Sequence, residues 1–332
     1  MLQPTLKILF DYQTLTREQA KEILVNITKD VYTKSEVVAF LSVFMMRSVT
    51  VEELSGFRDG LLELKKSVDL SDFDTVDLCG TGGDGKNTFN ISTLASFIVA
   101  GAGIKVAKHG NYGVSSGCGS SNMLEALGYK FSTNNDILRT QLDKAGICFL
   151  HAPLFHPAMK AVAPIRKELG IKTFFNMLGP LVNPSNPQSQ MVGVFSLELA
   201  RIYQYLFQQE NKRFAIIHST DGYDEVSLTA PFKVITHKGE KLMTAKELGL
   251  PINTPESIAG GNNVEGAAEI FTKIINGEGT QAQKNAVIAN AAFAIQSNQP
   301  QYSLNDCLEM AKESLDAGKA KQTLKTLLAT QG

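Results

Sequence analysis

No run of eighteen or more apolar residues occurs in the 332-residue sequence, so no segment reads as a membrane-crossing helix. The first twenty residues lack the basic start, apolar centre and small-residue cleavage site of a secretory signal, and the cytoplasm is the expected compartment. Neither sign of charge is in surplus. With 32 Lys and Arg against 33 Asp and Glu, the formal net charge of −1 offers no bulk attraction to nucleic acid or to an anionic membrane. The four cysteines, Cys79, Cys118, Cys148 and Cys307, form no C-x-x-C pair, so spacing suggests neither a disulfide framework nor a zinc site. Reduced thiols are expected. The five histidines are equally scattered, which speaks against a histidine-based transition-metal centre. Internal repeats and low-complexity linkers are also missing. What remains is an ordinary globular composition, 43% apolar and 20% charged, at a length sufficient for about two domains.

Residues 1 to about 66 carry three helix starts. Thr16 with Gln19, Thr33 with Glu36, and Thr50 with Glu53 each have the spacing at which a side chain and a backbone N–H satisfy one another reciprocally. Apolar positions such as Ala20, Ile23, Leu24 and Ile27 then recur at helical period. From Thr75 short apolar runs alternate with helical patterns: TVDLC, STLASFIVAGAG, IKVAK, NDILRTQLDKAG and ICFLHA, then MVGVF, SLELARIYQYLFQQE and FAIIHS. Strand, helix, strand in that order predicts right-handed crossovers and a mostly parallel sheet flanked by helices. FKVITHKGEKLMTA reads as an antiparallel hairpin, and the remainder from about Asn263 as three or four helices. The expected fold is therefore α/β, with a small all-helical domain at 1–70 and a larger α/β domain at 71–332. Segment 156–184, helical in pattern but rich in Pro and Gly, is read as packing back on the N-terminal helices.

Three clusters carry chemistry. DLCGTGGDGKNTFNIST, residues 77–93, places glycines between a strand and a helix start, where backbone N–H groups and the helix terminus suit an anion such as phosphate. A tight turn needing positive φ accounts for the glycines equally well. Thr88, Asn90, Ser92 and Thr93, however, exceed what one N-cap requires, and the loop matches neither the P-loop nor the dinucleotide fingerprint. Asp84 suits ribose hydroxyls or a metal-bound pyrophosphate, or a plain Asp-Gly turn.

KHGNYGVSSGCGSSN, residues 108–122, follows the next strand with Lys108 as a point charge and a loop dense in donors. DGYDEVSLTAP, residues 221–231, follows a later strand and sets Asp224 beside Glu225, a pair that fits a hard cation whose remaining ligands are water and phosphate oxygens. Taken alone that stretch is a solvated turn. Its position after a strand, at the edge where such sheets gather ligands, gives it weight.

In this order the clusters resemble the anthranilate phosphoribosyltransferase family, and the likeness extends over nearly the whole chain, through HPAMK…IRKELGIKTFFNMLGPLVNP and the alanine-rich C-terminal helices. The resemblance implies a helical domain completed by about 160–184, an α/β domain binding phosphoribosyl pyrophosphate, a homodimer formed through the helical domain, and Mg²⁺ as cofactor. By matched position it implies that Gly80, Gly83, Asp84, Thr88, Asn90, Ser92, Thr93, Lys108, Ser116 and Ser120 hold phosphoribosyl pyrophosphate. Gly80, His109, Asn111, His156 and Arg166 fall on the anthranilate side, where Arg166 suits the carboxylate through a forked pair, and Ser92, Asp224 and Glu225 engage Mg²⁺. Without the family, Arg166 reads as a solvent-facing helix residue.

The chain departs from the family pattern in three places: Tyr112 stands where an arginine is common, Cys118 where a serine is usual, and Asn122 where an acid is expected. These bear on substrate affinity more than on reaction class. Cys118 reads as a small substitute for serine, with no histidine paired to it by sequence. Two other functions are weighed. A pyrimidine nucleoside phosphorylase-like enzyme shares the architecture but uses a different glycine loop, and a noncatalytic nucleic-acid-binding relative calls for a basic groove that the balanced charge does not supply.

Overall fold

The computed structural model describes residues 1–113 and 117–331. The chain forms two compact units, one of Met1–Ser67 with Ala152–Pro184 and one of Val68–His151 with Ser185–Gly332.

The first unit is helical. Its N-terminal part is α1 (Gln3–Phe10), α2 (Arg17–Thr28), α3 (Lys34–Met46) and α4 (Val51–Glu63). All three expected capping boxes are present, at Thr16, Thr33 and Thr50. The fourth helix, α1, was not expected: its N-cap Leu2 makes no side-chain bond, so the start leaves little local mark in the sequence. The later segment contributes only short helices, α8 (Ala152–Phe155), α9 (Ala163–Leu169) and α10 (Phe175–Leu178), because its prolines and glycines interrupt each one. Phe174 fastens this segment by stacking on Phe57 at 4.2 Å, with Phe40 and Phe44 edge-on at 6.2 and 5.3 Å. Each such pair adds about 0.5–1.5 kcal/mol beyond the area it buries.

Glu53 anchors the same unit from within. Fully buried, its carboxylate accepts from the Leu15 and Thr50 N–H groups and from Arg47 at 2.6 and 2.9 Å. Burial alone would push its pKa up, but the Arg47 pair and the two N–H groups outweigh that and hold it below the usual glutamate range.

The second unit centres on a seven-stranded sheet of order β3-β2-β1-β4-β5-β6-β7. The strands are β1 (Thr75–Gly80), β2 (Lys105–Gly110), β3 (Ile147–His151), β4 (Ser189–Gly193), β5 (Arg213–Ser219), β6 (Phe232–Thr236) and β7 (Gly239–Met243). Pairing is parallel from β3 through β5 and antiparallel for the β6–β7 hairpin. The helices are α5 (Ile91–Gly101), α6 (Ser120–Ala126), α7 (Asn135–Ala145), α11 (Leu197–Gln209), α12 (Val264–Ile275), α13 (Gln281–Asn298), α14 (Leu304–Asp316) and α15 (Lys319–Ala329). The chain leaves β1 toward β2 and β3, then returns to lay β4 on the other side of β1. The strand order reverses at that point, and such a reversal opens a crevice beyond the strands' carboxyl ends. Among the described residues no helix is long and apolar enough to cross a membrane.

Glu53→Gln is expected to lower the unfolding free energy by about 3 kcal/mol at neutral pH, because it breaks a buried ion pair. The lowered pKa makes the contribution of Glu53 complete above the ordinary glutamate value and lost as pH falls through the lowered one. Urea unfolding across pH should therefore show the gap between parent and variant closing in acid.

Candidate active site

The glycine loop leaves β1 at Gly80 and turns sharply, with Gly82 and Gly83 at φ +64° and +73°, a region that only glycine enters without cost. Its N–H groups are partly committed to protein. Gly82 N–H donates to Asp224 Oδ2 at 2.7 Å, Thr81 N–H to the Gly193 carbonyl at 3.0 Å, and Lys86 N–H to Asp84 Oδ1 at 3.0 Å. The loop then runs beside a strap not foreseen from the sequence. Thr88 and Ala259 form an antiparallel bridge, with Phe89 N–H on the Ile258 carbonyl and Gly260 N–H on the Asn87 carbonyl. At the start of α5, Asn90 directs its side-chain amide to the Cys118 carbonyl at 3.0 Å instead of capping the helix, which ties the glycine loop to the serine loop. Ser92 presents its backbone N–H to Glu225, and Thr93 is buried beneath.

Asp224 and Glu225 both lie inside the protein surface. Burial first, then the charge of Asp84, raises the Asp224 pKa. Burial and Asp224 raise that of Glu225, against the pull of Lys108 and the Ser92 N–H. The carboxylates thus press on one another with little protein cation to relieve them. Among the described residues no three His, Cys, Asp or Glu side chains gather into a complete metal-binding group. A buried pair of acids, with raised pKa values and an incomplete shell, fits a hard cation that takes its remaining oxygens from water and a phosphorylated ligand.

The backbone bearing these acids is pinned throughout. The Tyr223 carbonyl accepts from Ser219 N–H at 3.1 Å and the Glu225 carbonyl from Ser219 Oγ at 2.6 Å. Asn290 binds both backbone groups of Val226, and Asn253 donates to the Ser227 and Leu228 carbonyls. Leu228 sits at φ +61°, a conformation that costs a bulky residue roughly 1–3 kcal/mol and persists only when its surroundings hold it. Space is made by glycine. A Cβ on Gly193 would lie 1.4 Å from the Asp224 carbonyl, and one on Gly80 would lie 2.3 Å from Asp224 Oδ2.

From β2, Lys108 is only 2% exposed, and its Nζ bonds the Leu78 carbonyl while sharing the electrostatic field of Glu225. The expected point charge therefore lies within the sheet edge. His109 is buried, with its N–H on Asp77 Oδ1 at 3.2 Å. Asn111 accepts from Tyr112 N–H through Oδ1 at 2.8 Å, so by elimination its Nδ2 is the group left to donate outward. The Asn111 carbonyl accepts from Ser121 N–H and more weakly from Ser120 Oγ.

The departures from the family pattern acquire partners here. Asn122 Oδ1 closes the neck of the serine loop by accepting from Gly113 and Gly119 N–H at 2.9 and 3.0 Å, as an acid would. Tyr112 donates to Glu125 at 2.8 Å and sets its ring edge-on to His151 at 4.8 Å. Burial pushes the Cys118 thiol up, as suits an inert filler. Ser116 lies outside the described residues.

Arg166 and His156 belong to the helical unit. Arg166, on α9, is half-buried and stands 5.5 Å from the Phe175 ring centroid, which corrects its reading as solvent-facing. His156 is buried with Nε2 on the Val182 carbonyl at 2.7 Å, a bond that holds its own segment together.

Gly193→Ala is expected to cost roughly 3 kcal/mol by forcing the Asp224 backbone away. Urea unfolding measures this, and a variant as stable as the parent would refute the close packing.

The model of the glycosyl transferase family a/b domain matches residues 72–321, and that of its helical bundle domain matches residues 3–64. The chain is 57% identical over 326 residues to anthranilate phosphoribosyltransferase of Flavobacterium johnsoniae, covering 98% of each, and 52% identical to that of Bacteroides fragilis, again covering 98% of each. Its fold superposes on the crystal structure of the Thermus thermophilus enzyme with a TM-score of 0.92 at 31% identity, covering 98% of both chains. The Saccharomyces cerevisiae enzyme in complex with PRPP and Mg gives 0.91 at 26% identity, covering 99% of this chain and 97% of that one. With both domain models matched in order and relatives above half identity along nearly the full length, the chain belongs to the anthranilate phosphoribosyltransferase family.

Proposed function

We propose that the protein transfers the 5-phosphoribosyl group of phosphoribosyl pyrophosphate to the amine of anthranilate, giving N-(5-phosphoribosyl)anthranilate and pyrophosphate in tryptophan biosynthesis. The observation that carries this reading is the buried Asp224–Glu225 pair set against the glycine loop at the point where the strand order reverses. Acids there would repel a phosphorylated substrate unless a cation lay between them. Asp224, Glu225 and Ser92 would hold Mg²⁺, which would supply charge neutralisation for the leaving group.

The chain's own groups bind and orient. Gly80, Gly83, Thr88, Asn90, Thr93 and the serine-loop residues Ser116 and Ser120 hold phosphate and ribose, with Asp84 accepting from ribose hydroxyls. Lys108 biases the local field against the negative charge of the acids. For the acceptor, the match to the family assigns Asn111, with Nδ2 as its donor, His109, His156 and Arg166, whose forked guanidinium suits the anthranilate carboxylate. The bond from ribose C1 to the pyrophosphate oxygen breaks, with its electron pair leaving on pyrophosphate. The aniline nitrogen then bonds to C1 with inversion, and the resulting anilinium releases one of its two protons to solvent. An aniline needs no prior deprotonation to attack, so positioning and electrostatic stabilisation supply the rate. No covalent intermediate with the protein is involved. The same reading makes the α/β unit, 71–332 less the segment Ala152–Pro184 that completes the helical unit, the donor-binding domain, and puts the enzyme in the cytoplasm. It also makes the enzyme a homodimer through the helical domain, where Phe10 and Met46 are exposed apolar side chains.

Loss of anthranilate fluorescence on adding phosphoribosyl pyrophosphate and Mg²⁺, abolished by EDTA or by omitting the donor, tests the reaction. Persistent fluorescence with donor and metal both present would refute it. Asp224→Asn combined with Glu225→Gln should reduce kcat/KM by at least about a hundredfold, the scale of a lost electrostatic group. Arg166→Ala should raise the anthranilate KM far more than the donor KM, and equal rises would remove Arg166 from the acceptor side.

A further inference from the structure

We propose that Asn290, a residue of α13 far along the chain from the site loops, is a positioning residue that sets the direction of the Asp224–Glu225 carboxylates. The proposal rests on the cation-holding role given above to those two acids. Asn290 is fully buried. Its Oδ1 accepts from the Val226 N–H at 3.0 Å, and its Nδ2 donates to the Val226 carbonyl at 3.0 Å and to the Ala286 carbonyl of its own helix at 2.8 Å. One side-chain amide therefore takes up both backbone groups of the residue directly after Glu225, as a neighbouring strand would, and every hydrogen-bonding position but one acceptor lone pair is used.

The clamp acts where the backbone is otherwise least free to choose. Immediately beyond it Leu228 holds its left-handed conformation, and Asn253 bonds the Ser227 carbonyl at 3.1 Å and the Ala282 carbonyl of α13 at 3.3 Å. Just before it, the Asp224 carbonyl passes over Gly193 too closely for any side chain. The acid turn is thus gripped from α13 on one side and rests on β4 on the other. With its peptide groups fixed, the two carboxylates have only side-chain torsions left to vary, and a cation meets ligands that are already directed. Without Asn290 the Val226 peptide loses both partners and the turn is free to relax its strained neighbour. Groups that orient metal ligands without touching the metal commonly govern affinity by about 10–100-fold.

The test is Mn²⁺ binding to the full-length protein in the presence of phosphoribosyl pyrophosphate, followed by water-proton relaxation. Asn290→Ala should weaken Mn²⁺ binding by about tenfold or more, while the anthranilate KM at saturating Mn²⁺ stays at the parent value. Asn253→Ala should act in the same direction, and it decides the matter if Asn290→Ala does not fold. Asn298, also in α13, is equally buried and bonds Ser189 Oγ away from the acid turn. Asn298→Ala should lower the thermal midpoint without changing Mn²⁺ binding. Parent-like Mn²⁺ affinity in Asn290→Ala, or an equal loss in Asn298→Ala, would overturn the proposal. Asp224→Asn with Glu225→Gln separates the two levels: if this double variant binds Mn²⁺ as the parent does, the cation site itself is misassigned and the proposal falls with it. If only the double variant loses Mn²⁺, the site stands and the role of Asn290 does not.

Discussion

Two adjacent carboxylates below the protein surface, with a third beside them and one buried lysine in their field, form the constraint around which the α/β unit is arranged. Their mutual repulsion and lost hydration must be offset, and protein groups do so only in part: a loop N–H from Gly82 on Asp224, a helix-start N–H from Ser92 on Glu225, and the field of Lys108. Closing the remaining gap with another fixed cation would stabilise the fold and at the same time occupy the place where a ligand's charge must arrive. On the function proposed above, that incomplete compensation is what would make the crevice receptive to a cation and a phosphorylated ligand.

The sheet supplies the geometry. Because β4 returns to the far side of β1, the loops after β1 and β4 come together at the reversal, and the turn after β5 can rest its Asp224 carbonyl on Gly193. The glycines at 80 and 193 are there for the close approach of Asp224, whereas those at 82 and 83 are there for the turn itself. Two different physical needs lie behind what looks like a single glycine-rich signature.

This distinction also marks how far the sequence could be read. Features written locally were legible: three capping boxes, the alternation of strands and helices, the hairpin, and the polar clusters at strand ends. Features made by distant partners were not. Val226 and Asn290 are 64 positions apart, Ser227 and Asn253 are 26 apart, and neither asparagine belongs to a pattern that would single it out. The strap at Ile258–Gly260 is invisible for the same reason. Lys108 was legible as a charge but not as one withdrawn onto Leu78, and Arg166 was legible only through the family, since its packing over Phe175 depends on a fold in the chain between them.

The helical unit is discontinuous, and that imposes an order on assembly. Phe57 awaits Phe174, and the Lys66 N–H awaits the Phe155 carbonyl, so the first four helices lack part of their core until residues 152–184 have left the ribosome. By then β1, β2 and β3 have already been made, while β4, which must slot beside β1, has not. During synthesis the chain therefore carries two unfinished cores at once, with the open edge of β1 exposed until Ser189–Gly193 arrives. Nascent chains in that window present the apolar surface and unpaired strand edge that chaperones recognise. For this architecture, completion of either core waits on translation of the middle third of the chain.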